Sequence, residues 1–569
     1  MRIFTKKLLK VGAVAACVVC LLCVYQSSLY NRVSKSLTED IAAQLIKDKE
    51  SFSSPSELCG RYFQKLYELE PDWWNNYSEG WQLATADYET QNLRLIMERL
   101  RTYEGCLKIG ALPSDVRDLD KRMFPFIRLE QSPIFESGDL KKTYKNGQLP
   151  LMSSEAISRY QYDSRQSWLT NWNRTSQEPI GPTRGIVLSF PDVHVSLVIR
   201  LLKVLEHQKN RLPIQIIHKG DLSDHSKTLI SKALPPNQRL WFVNVKPMLD
   251  PQFIDDFTLY RNKWLAMIFN TFSTPIFIDA DAVSAQPIES YLHSEAYVES
   301  GTLFFRDRAF AHKFDYEYCV PLLKSLQPSQ LETLYFGRRR LIDEQLMISD
   351  STSLEQRIVQ SFFVGGQRHQ MDSGLLAIDK SKHAMPLMAG VFLNLAPKLS
   401  KCTHGDKEVF WLAFLLTNHA YRFHPEEASA IGEDNGSGEV CSVQLGHTST
   451  HGTLLWFNSG FRVCKFADAI DIDWEGHPKD YLHETFATIQ EAREYYESMT
   501  RIKVAALPDI SVNPWAGGFA DLCIGYRYCA KVSPGSGQLI SFSAEEQENL
   551  REIGEAWMSA TEAVLKFRA

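Results

Sequence analysis

The sequence predicts an α/β protein in which a mostly parallel β-sheet carries helices on both faces. Apolar, β-branched runs alternate with amphipathic stretches between residues 184 and 283, which is typical of this class. The first two runs begin about 30 residues apart, the length of a βαβ unit. The last run, PIFI at 275–278, leads directly into carboxylates. Sheets of this kind bind ligands at the carboxyl ends of their strands.

The predicted elements follow one another in a regular order. Residues 193–207, between the first two strands, have apolar side chains at helical spacing, and a second amphipathic helix is predicted over 253–270. The four strands are the runs RGIVLSF (184–190), LPIQIIHKGD (212–221), WFVNV (241–245) and TPIFIDADAV (274–283).

The N-terminus predicts a membrane anchor. Residues 11–30 are uncharged and follow four basic residues, and about 20 helical residues span roughly 30 Å of hydrocarbon. The preceding positive charge favours a cytosolic N-terminus. The alternative is a cleaved signal peptide, but Tyr25 stands where cleavage needs a small residue. We therefore expect a cytosolic tail at 1–10, a signal-anchor at 11–30 and a luminal remainder.

Length and composition bound the rest of the chain. A chain of 569 residues suggests more than one unit. We expect a stem and helical accessory region at 31–175, a main domain at 176–500 and a C-terminal extension at 501–569. The stretch 88–105 in the accessory region has the spacing of an amphipathic helix. The net charge is −6. The chain therefore lacks the excess of basic residues that would indicate a nucleic-acid partner.

The cysteines agree with an oxidising compartment. Three of the eleven lie inside the predicted anchor, and the eight others allow four disulfides in a lumen. The eight cysteines outside the anchor lack paired CxxC spacings, which argues against structural zinc. Sequons at Asn76, Asn173 and Asn435 fall on the predicted luminal side, where glycosylation is expected.

The strongest chemical signal is Asp279-Ala280-Asp281, directly after an apolar strand. Two unpaired carboxylates are too costly to bury as core residues. Alternate residues at the end of a strand converge on one cation, and Mn²⁺ or Mg²⁺ takes oxygen ligands that it shares with substrate phosphates. Such a cation would stabilise a departing diphosphate. The alternative is a turn with two solvated aspartates.

A second constellation is HQMDSGLLAIDK at 369–380. Asp372 could contact substrate hydroxyl groups or stabilise positive charge at a reacting carbon, with His369 and Gln370 assisting. Gly374 would allow backbone to approach a ligand closely. The alternative is an ordinary polar turn before a core strand.

Two further acids precede an apolar helical pattern in GDKEVFW (405–411). Asp406 and Glu408 could simply cap the helix, whose N-terminus favours negative charge. As functional residues, they would orient or deprotonate an acceptor hydroxyl.

Histidines and cations complete the set of predicted site residues. His447 and His451 precede the strand LLWFN, and a neutral histidine there could close the metal site; His451 is favoured because a glycine follows it. Lys263, and second to it Arg261, lies on the helix before the Asp279 strand and would meet a diphosphate. Two strand-edge residues where a nucleotide base or ribose could bind are Arg184 and Asp221.

This ordered series of motifs resembles the fungal, yeast-type Golgi α-1,3-mannosyltransferases that cap N- and O-linked mannose chains. The resemblance covers roughly residues 180–465, and the order of motifs is also similar to that of retaining glycosyltransferases of the GT-A fold. The residues that carry it are RGIVLSF, LPIQIIHKGDLS, PIFIDADAV, HQMDSGLLAIDKSKH, GDKEVFW and LLWFNSG.

The resemblance implies a type II Golgi membrane enzyme with a GT-A-like catalytic domain at 176–500. It implies transfer of mannose from GDP-mannose, with Mn²⁺, to a mannose-terminated glycan, and an α-1,3 linkage formed with retention. Complexes with other Golgi mannosyltransferases are a further expectation. By position, Asp279 and Asp281 would hold the metal and diphosphate, Asp372 would lie near the donor sugar, and Asp406 and Glu408 near donor or acceptor.

Two alternatives stay open at this point. One is a metal-dependent transferase that uses another nucleotide-sugar, such as a UDP-sugar. The other is a catalytically silent, membrane-anchored sugar-binding or scaffold protein. The sequence does not distinguish an N-linked from an O-linked acceptor.

Overall fold

A computed structural model describes most of the chain beyond the N-terminal 40 residues. The predicted tail and anchor at 1–30 lie outside the described residues, and none of the helices within those residues is long and apolar enough to cross a membrane. The described ranges are 41–76, 86–152, 156–175, 177–178, 181–311, 316–348, 353–403, 405–466, 468–508, 515–516, 522–532, 535 and 537–565.

Two β-sheets organise the described residues, an eight-stranded and a six-stranded one. All four predicted strands are present. In chain order, the strands of the two sheets are β1 (Ile134–Ser137), β2 (Thr143–Tyr144), β3 (Arg184–Leu188), β4 (Ile214–His218), β5 (Leu240–Asn244), β6 (Thr274–Ile278), β7 (Val283–Ser284), β8 (Thr302–Arg306), β9 (Met371–Ile378), β10 (Ala428–Gly432), β11 (Leu445–Thr448), β12 (Leu454–Phe457), β13 (Val504–Pro508) and β14 (Gly537–Ser541).

The larger sheet has the order β8-β9-β6-β3-β4-β5-β1-β2. Strands β3 to β6 pair in parallel, as predicted from their alternation with helices. The sheet as a whole is mixed, which corrects the prediction of a mostly parallel sheet, because β9 runs antiparallel to both β6 and β8. Apolar periodicity identifies a strand but does not encode its direction.

The smaller sheet has the order β7-β12-β11-β10-β13-β14, and each neighbouring pair is antiparallel. Its first strand, β7, begins two residues after Asp281 and pairs with β12. This pairing brings a late part of the chain back to the end of β6.

Helices cover both faces of the larger sheet. They are α1 (Ile41–Lys47), α2 (Pro55–Leu69), α3 (Ala86–Lys108), α4 (Val116–Met123), α5 (Trp168–Thr175), α6 (Val195–His207), α7 (Asp224–Ala233), α8 (Asn262–Phe269), α9 (Glu295–Ser300), α10 (Tyr316–Ser325), α11 (Gln330–Phe336), α12 (Leu341–Leu346), α13 (Leu354–Phe363), α14 (Ala384–Leu395), α15 (Lys407–Thr417), α16 (Ala469–Asp473), α17 (Lys479–Thr485), α18 (Ile489–Glu497) and α19 (Ala544–Leu565).

The helix predicted over 253–270 is correct only in its second half. Residues 251–256 and 259–261 form short 3₁₀ turns, and the α-helix begins at Asn262. Leu259 has a φ of 53°, in the left-handed region. A right-handed α-helix cannot pass through a residue in this conformation, so the predicted helix is interrupted there. The helix predicted over 193–207 corresponds to α6. The helix predicted over 88–105 lies within α3.

The N-terminal helices share a core with the larger sheet. One hydrophobic cluster contains Leu45 and Leu100 together with Phe277 on β6 and Met388 on α14. Buried ion pairs reinforce the contact. Arg101 on α3 donates to Glu332 at 2.6 Å, and Arg338 donates to Glu104 at 2.5 Å. Side chains on both sides of the predicted boundary at 176 therefore pack together.

Four disulfides join all eight cysteines outside the predicted anchor, as predicted. The pairs are Cys59–Cys106, Cys319–Cys402, Cys441–Cys529 and Cys464–Cys523. Of the sequons, Asn435 lies in an exposed turn, whereas Asn173 lies within α5 and Asn76 precedes α3. Glycosylation at these positions stays a prediction.

Replacing Glu332 by glutamine should destabilise the protein by about 3 kcal/mol, because it leaves the buried Arg101 guanidinium without a charge partner. Glutamine keeps a side-chain oxygen for the capping contact with Ser329. The matched control is Arg551→Ala, which removes two ion pairs on the exposed face of α19 and should leave the thermal stability nearly unchanged. Equal shifts in thermal unfolding for the two variants would contradict a stabilising role for the buried Arg101–Glu332 pair.

Candidate active site

The predicted aspartates lie where β6 ends beside the start of β9. Asp279 and Asp281 follow β6 directly, and the Asp279 N–H donates to the Gly374 carbonyl at 2.8 Å. A Cβ on Gly374 would lie 3.0 Å from both the Asn458 amide and the Trp456 ring. Glycine is therefore needed at this position for the close approach of β9 to the segment after β12.

Lys263 occupies the centre of the acidic cluster. It is buried on the first turn of α8, and its Nζ lies 2.8 Å from Asp279 Oδ2 and 3.3 Å from Asp406 Oδ2. It also donates to Ser373 Oγ at 3.2 Å. Burial lowers the pKa of this lysine, but the two carboxylates outweigh burial and raise the pKa above its usual value. The ammonium group is therefore charged.

The carboxylates repel one another. Burial raises the pKa of Asp279 most; Lys263 opposes this shift, while Asp281 and Asp406 add to it, and the resulting pKa is about 7. Asp281 has its own cation, since Lys465 Nζ lies 2.6 Å from its Oδ2. The cluster thus contains three carboxyl groups and two ammonium groups.

Asp406 lies at the predicted helix start, but its side chain does not cap α15. Its carboxylate instead accepts a hydrogen bond from Ser373 Oγ at 3.0 Å and pairs with Lys263. The functional interpretation of Asp406 is therefore favoured over the capping alternative.

Glu408 differs from Asp406. It is fully buried, its Oε1 accepts from the Gln370 N–H at 2.9 Å, and burial raises its pKa. This bond holds the backbone before β9. The predicted contact of Glu408 with a substrate stays a prediction.

Asp372 is buried on β9, and both of its oxygens are engaged. Oδ1 accepts from the Gly374 N–H at 2.9 Å, and Oδ2 lies 3.2 Å from His447 Nε2. Burial raises its pKa, but the bond to His447 outweighs burial and the pKa is lowered. His447 in turn stacks on Trp456, with ring centroids 4.3 Å apart. Asp372 therefore orients β9 and His447 rather than presenting a free carboxylate.

A second ionic cluster, which the sequence patterns did not predict, lies beside Asp372. Asp307 is buried after β8, with Lys407 Nζ 2.5 Å from Oδ2 and Arg308 Nε 3.2 Å from Oδ1. Burial opposes ionisation, but these two cations hold the pKa of Asp307 well below its usual value. Lys407 belongs to the GDKE motif, which the sequence analysis singled out. Asp307 and Arg308 follow the edge strand β8, and no sequence motif marks them.

His451 does not join the acidic cluster. It lies in an exposed turn before β12, whereas Asp281 meets the segment after β12, where the Gly460 N–H donates to its carbonyl at 2.8 Å. Four strand residues at about 3.3 Å each separate these two ends. The prediction of His451 as metal ligand is therefore corrected, and the late residue that meets Asp281 is Lys465.

Arg184 also lies away from the cluster. It is the first residue of β3 and pairs in register with Thr274, the first residue of β6. This places it at the amino end of strands whose carboxyl ends form the site, and it pairs with Glu289 at 3.2 Å. Its predicted role in nucleotide binding is corrected for this reason.

Asp221 lies at the correct edge of the sheet. It follows β4 and accepts from Asn262 Nδ2 at 3.2 Å. Asn262 begins α8 and immediately precedes Lys263, so Asp221 borders the cluster on the side of the parallel strands.

The donor set at Asp279 and Asp281 fits a divalent cation. Carboxylate oxygens are the ligands that Mn²⁺ and Mg²⁺ prefer, and a cation would oppose the burial and the neighbouring carboxylates that raise the pKa of Asp279. Elsewhere in the described chain, Glu439, Cys441 and Cys529 lie close enough to suggest a metal site. Those two cysteines form a disulfide, so they cannot bind a metal as thiolates.

Comparisons with known proteins identify the family of the chain. A family model described as "Mannosyltransferase putative" matches residues 183–449. The α-1,3-mannosyltransferase MNT3 of Saccharomyces cerevisiae is 31% identical, over 88% of this chain and 83% of its own length. MNT2 of the same yeast is 31% identical, over 90% and 94% respectively. The solved mannosyltransferase Ktr4p from S. cerevisiae aligns with 44% of this chain and 75% of its own, at 12% identity and a TM-score of 0.29, too low to define a shared fold.

The acidic site and these relatives define the chain as a glycosyltransferase. It belongs to the yeast α-1,3-mannosyltransferase family, and the family resemblance stated from the sequence motifs is confirmed.

Replacing Lys465 by methionine should raise the affinity for Mn²⁺, measured without nucleotide, by about tenfold, because the ammonium group competes with the cation for Asp281. Titration of the full chain in detergent, followed by electron paramagnetic resonance, would measure the affinity. Lys203→Met, at an exposed pair with Glu206, is the control and should have no effect. Unchanged Mn²⁺ binding in the Lys465 variant would contradict the assignment of Asp281 as a ligand.

Proposed function

We propose that this protein transfers mannose from GDP-mannose to a mannose-terminated N- or O-linked glycan and forms an α-1,3 linkage with retention. The observation that carries the proposal is the cluster of Asp279, Asp281 and Asp406 around Lys263, in a chain of the α-1,3-mannosyltransferase family. Retention is supported by the order of the sequence motifs.

Asp279 and Asp281 would hold a divalent cation such as Mn²⁺, which when bound supplies positive charge to the departing diphosphate. The chain adds its own positive charge from Lys263 and Lys465. Both ammonium groups are held by carboxylates, so they are oriented before substrate binds and lose little entropy on binding. Preorganised charge of this kind stabilises a developing anion in a partly dry site.

The remaining residues position this donor site. Asp406 and Ser373 fix Lys263 from the far side. Asp372 fixes the start of β9 through Gly374 and holds His447. Asp221 lies at the carboxyl end of β4, where it is available to a ribose or base of the nucleotide.

The proposal includes a Golgi membrane location, with residues 11–30 as a type II anchor and the catalytic domain in the lumen. The uncharged run behind a basic N-terminus supports the anchor. The four disulfides support an oxidising compartment. Complexes with other Golgi mannosyltransferases belong to the same proposal.

The test uses the full chain, purified in detergent and supplied with Mn²⁺, GDP-mannose and an α-linked mannobiose. The enzyme should lengthen the mannobiose by one hexose, and chelation of the metal by EDTA should stop this transfer. The double variant Asp279→Ala/Asp281→Ala should lose at least about 1,000-fold in rate, because it removes the charges that organise the diphosphate. Asp480→Ala, an exposed aspartate on α17, is the matched control and should keep full activity.

The outcomes separate the alternatives. Linkage analysis of the product tests α-1,3 directly, and the anomeric configuration tests retention. Turnover with a UDP-sugar and none with GDP-mannose would contradict the proposal of GDP-mannose as the donor. A folded protein that binds nucleotide but turns over no donor would support the silent sugar-binding interpretation.

A further inference from the structure

The loop 522–528 lies in the C-terminal region, to which the sequence motifs gave no role. Two disulfides hold it, one at each end. Cys523 is bonded to Cys464, and Cys529, directly after the loop, is bonded to Cys441. Cys464 adjoins the acidic site, because Lys465 follows it and pairs with Asp281.

The first disulfide places the loop beside the Asp281 carboxylate. Cys464 immediately precedes Lys465, whose Nζ lies 2.6 Å from Asp281 Oδ2. The loop residue bonded to Cys464 is Cys523, and the Tyr526 N–H donates back to its carbonyl at 3.2 Å. Tyr526 is thus connected through a few covalent and hydrogen bonds to the cation on Asp281.

The second end reaches the ionic cluster beside Asp372. The Arg308 guanidinium lies over the Tyr528 ring, 4.0 Å from its centroid, which is a close cation–π geometry. The same guanidinium pairs with Asp307, the partner of Lys407. The loop therefore spans from the Asp281 side of the site to the Asp307 side.

The loop backbone has a conformation that its residue types disfavour. Cys523 and Ile524 have φ values of 60° and 56°, followed by Gly525 at 74°. For non-glycine residues this conformation persists only when the surroundings enforce it. The Ile524 N–H donates to Asp473 at 3.2 Å, so a buried carboxylate and a disulfide enforce it together.

The result is a fixed loop that turns an aromatic ring outward. The Tyr526 side chain is 62% exposed, although the loop is held on both sides. An exposed tyrosine offers an apolar face with a polar tip. A pyranose has the complementary surface, with an apolar C–H face and hydroxyl groups at its edge.

We propose that the loop 522–528 forms the acceptor-binding edge of the site, with the Tyr526 ring packing against a mannose ring of the acceptor glycan. The Tyr528–Arg308 contact anchors the loop and does not touch the sugar. This inference rests on the proposed function for the identity of the sugar, but not for the existence of the binding edge.

The experiment measures equilibrium binding of an α-linked mannobiose to the full chain in detergent, with GDP and Mn²⁺ present, by calorimetry. Tyr526→Ala should weaken mannobiose binding at least fivefold and leave the affinity for GDP within twofold. Tyr526→Phe should restore binding, because it keeps the ring. Leu334→Ala, a change at a 70% exposed residue of α11 outside the loop, is the control and should bind as the wild type does. In transfer assays, the alanine variant should raise the acceptor KM and change kcat little.

Wild-type mannobiose affinity in Tyr526→Ala would overturn the proposal. If that variant is unstable, Tyr526→Leu replaces it, and retained binding with leucine would likewise overturn the role of the aromatic ring. Should the wild type ignore mannobiose but bind a glucose or galactose disaccharide through Tyr526, the binding edge would stand and the mannose assignment would fail. If an active transferase binds mannobiose independently of Tyr526, the proposed binding edge would be wrong, whereas the proposed function would stand.

Discussion

The buried ammonium group of Lys263 is the constraint on which the site depends. It joins α8, which carries it, to Asp279 after β6, to Ser373 on β9 and to Asp406 before α15. A buried charge that loses its partner costs several kcal/mol, so these four elements are stable only when they converge on one point. The antiparallel insertion of β9 beside β6 brings Ser373 and Gly374 to the end of β6.

The same principle recurs around the site, with partners drawn from distant parts of the chain. Asp281 is matched by Lys465, Asp307 by Lys407 and Arg308, and Asp372 by His447. Lys465 and His447 both belong to residues 445–466, which reach the site through the pairing of β7 with β12. The acidic edge of the parallel strands is therefore electrostatically incomplete until the smaller sheet has formed. The two sheets also share one hydrophobic cluster, which includes Ile278, Phe305 and Trp456.

Sequence patterns identified the parallel strands, the acid pair after β6 and the lysine on α8, because each is local: an apolar run followed at once by charge. Arg184 was misplaced although the same logic applied, since the first residue of a strand lies at the opposite edge from the last. His451 and His447 could not be separated without the pairing of β11 with β12. Lys465 had no local signal, because a disulfide between the preceding residue, Cys464, and the distant Cys523 holds its segment in place. Glu408 and Asp406, two residues apart, received one role, yet the turn into α15 directs one toward Lys263 and the other into the core.

The two halves of the site have different physical origins, and this bears on how such an enzyme acquires specificity. The donor side rests on β3 to β6 and α8, where short connections and strand pairing leave little freedom. The opposite side is built from segments with little regular structure, which disulfides and single ion pairs hold in place. Loops of that kind tolerate substitution at their tips while their anchors stay fixed. In the loop 522–528 the anchors are Cys523, Cys529 and the Arg308–Tyr528 contact, and the exposed side chains between them are free of core packing. Under the proposed assignment of this loop to the acceptor, a change of acceptor preference would require no change in the Lys263 cluster.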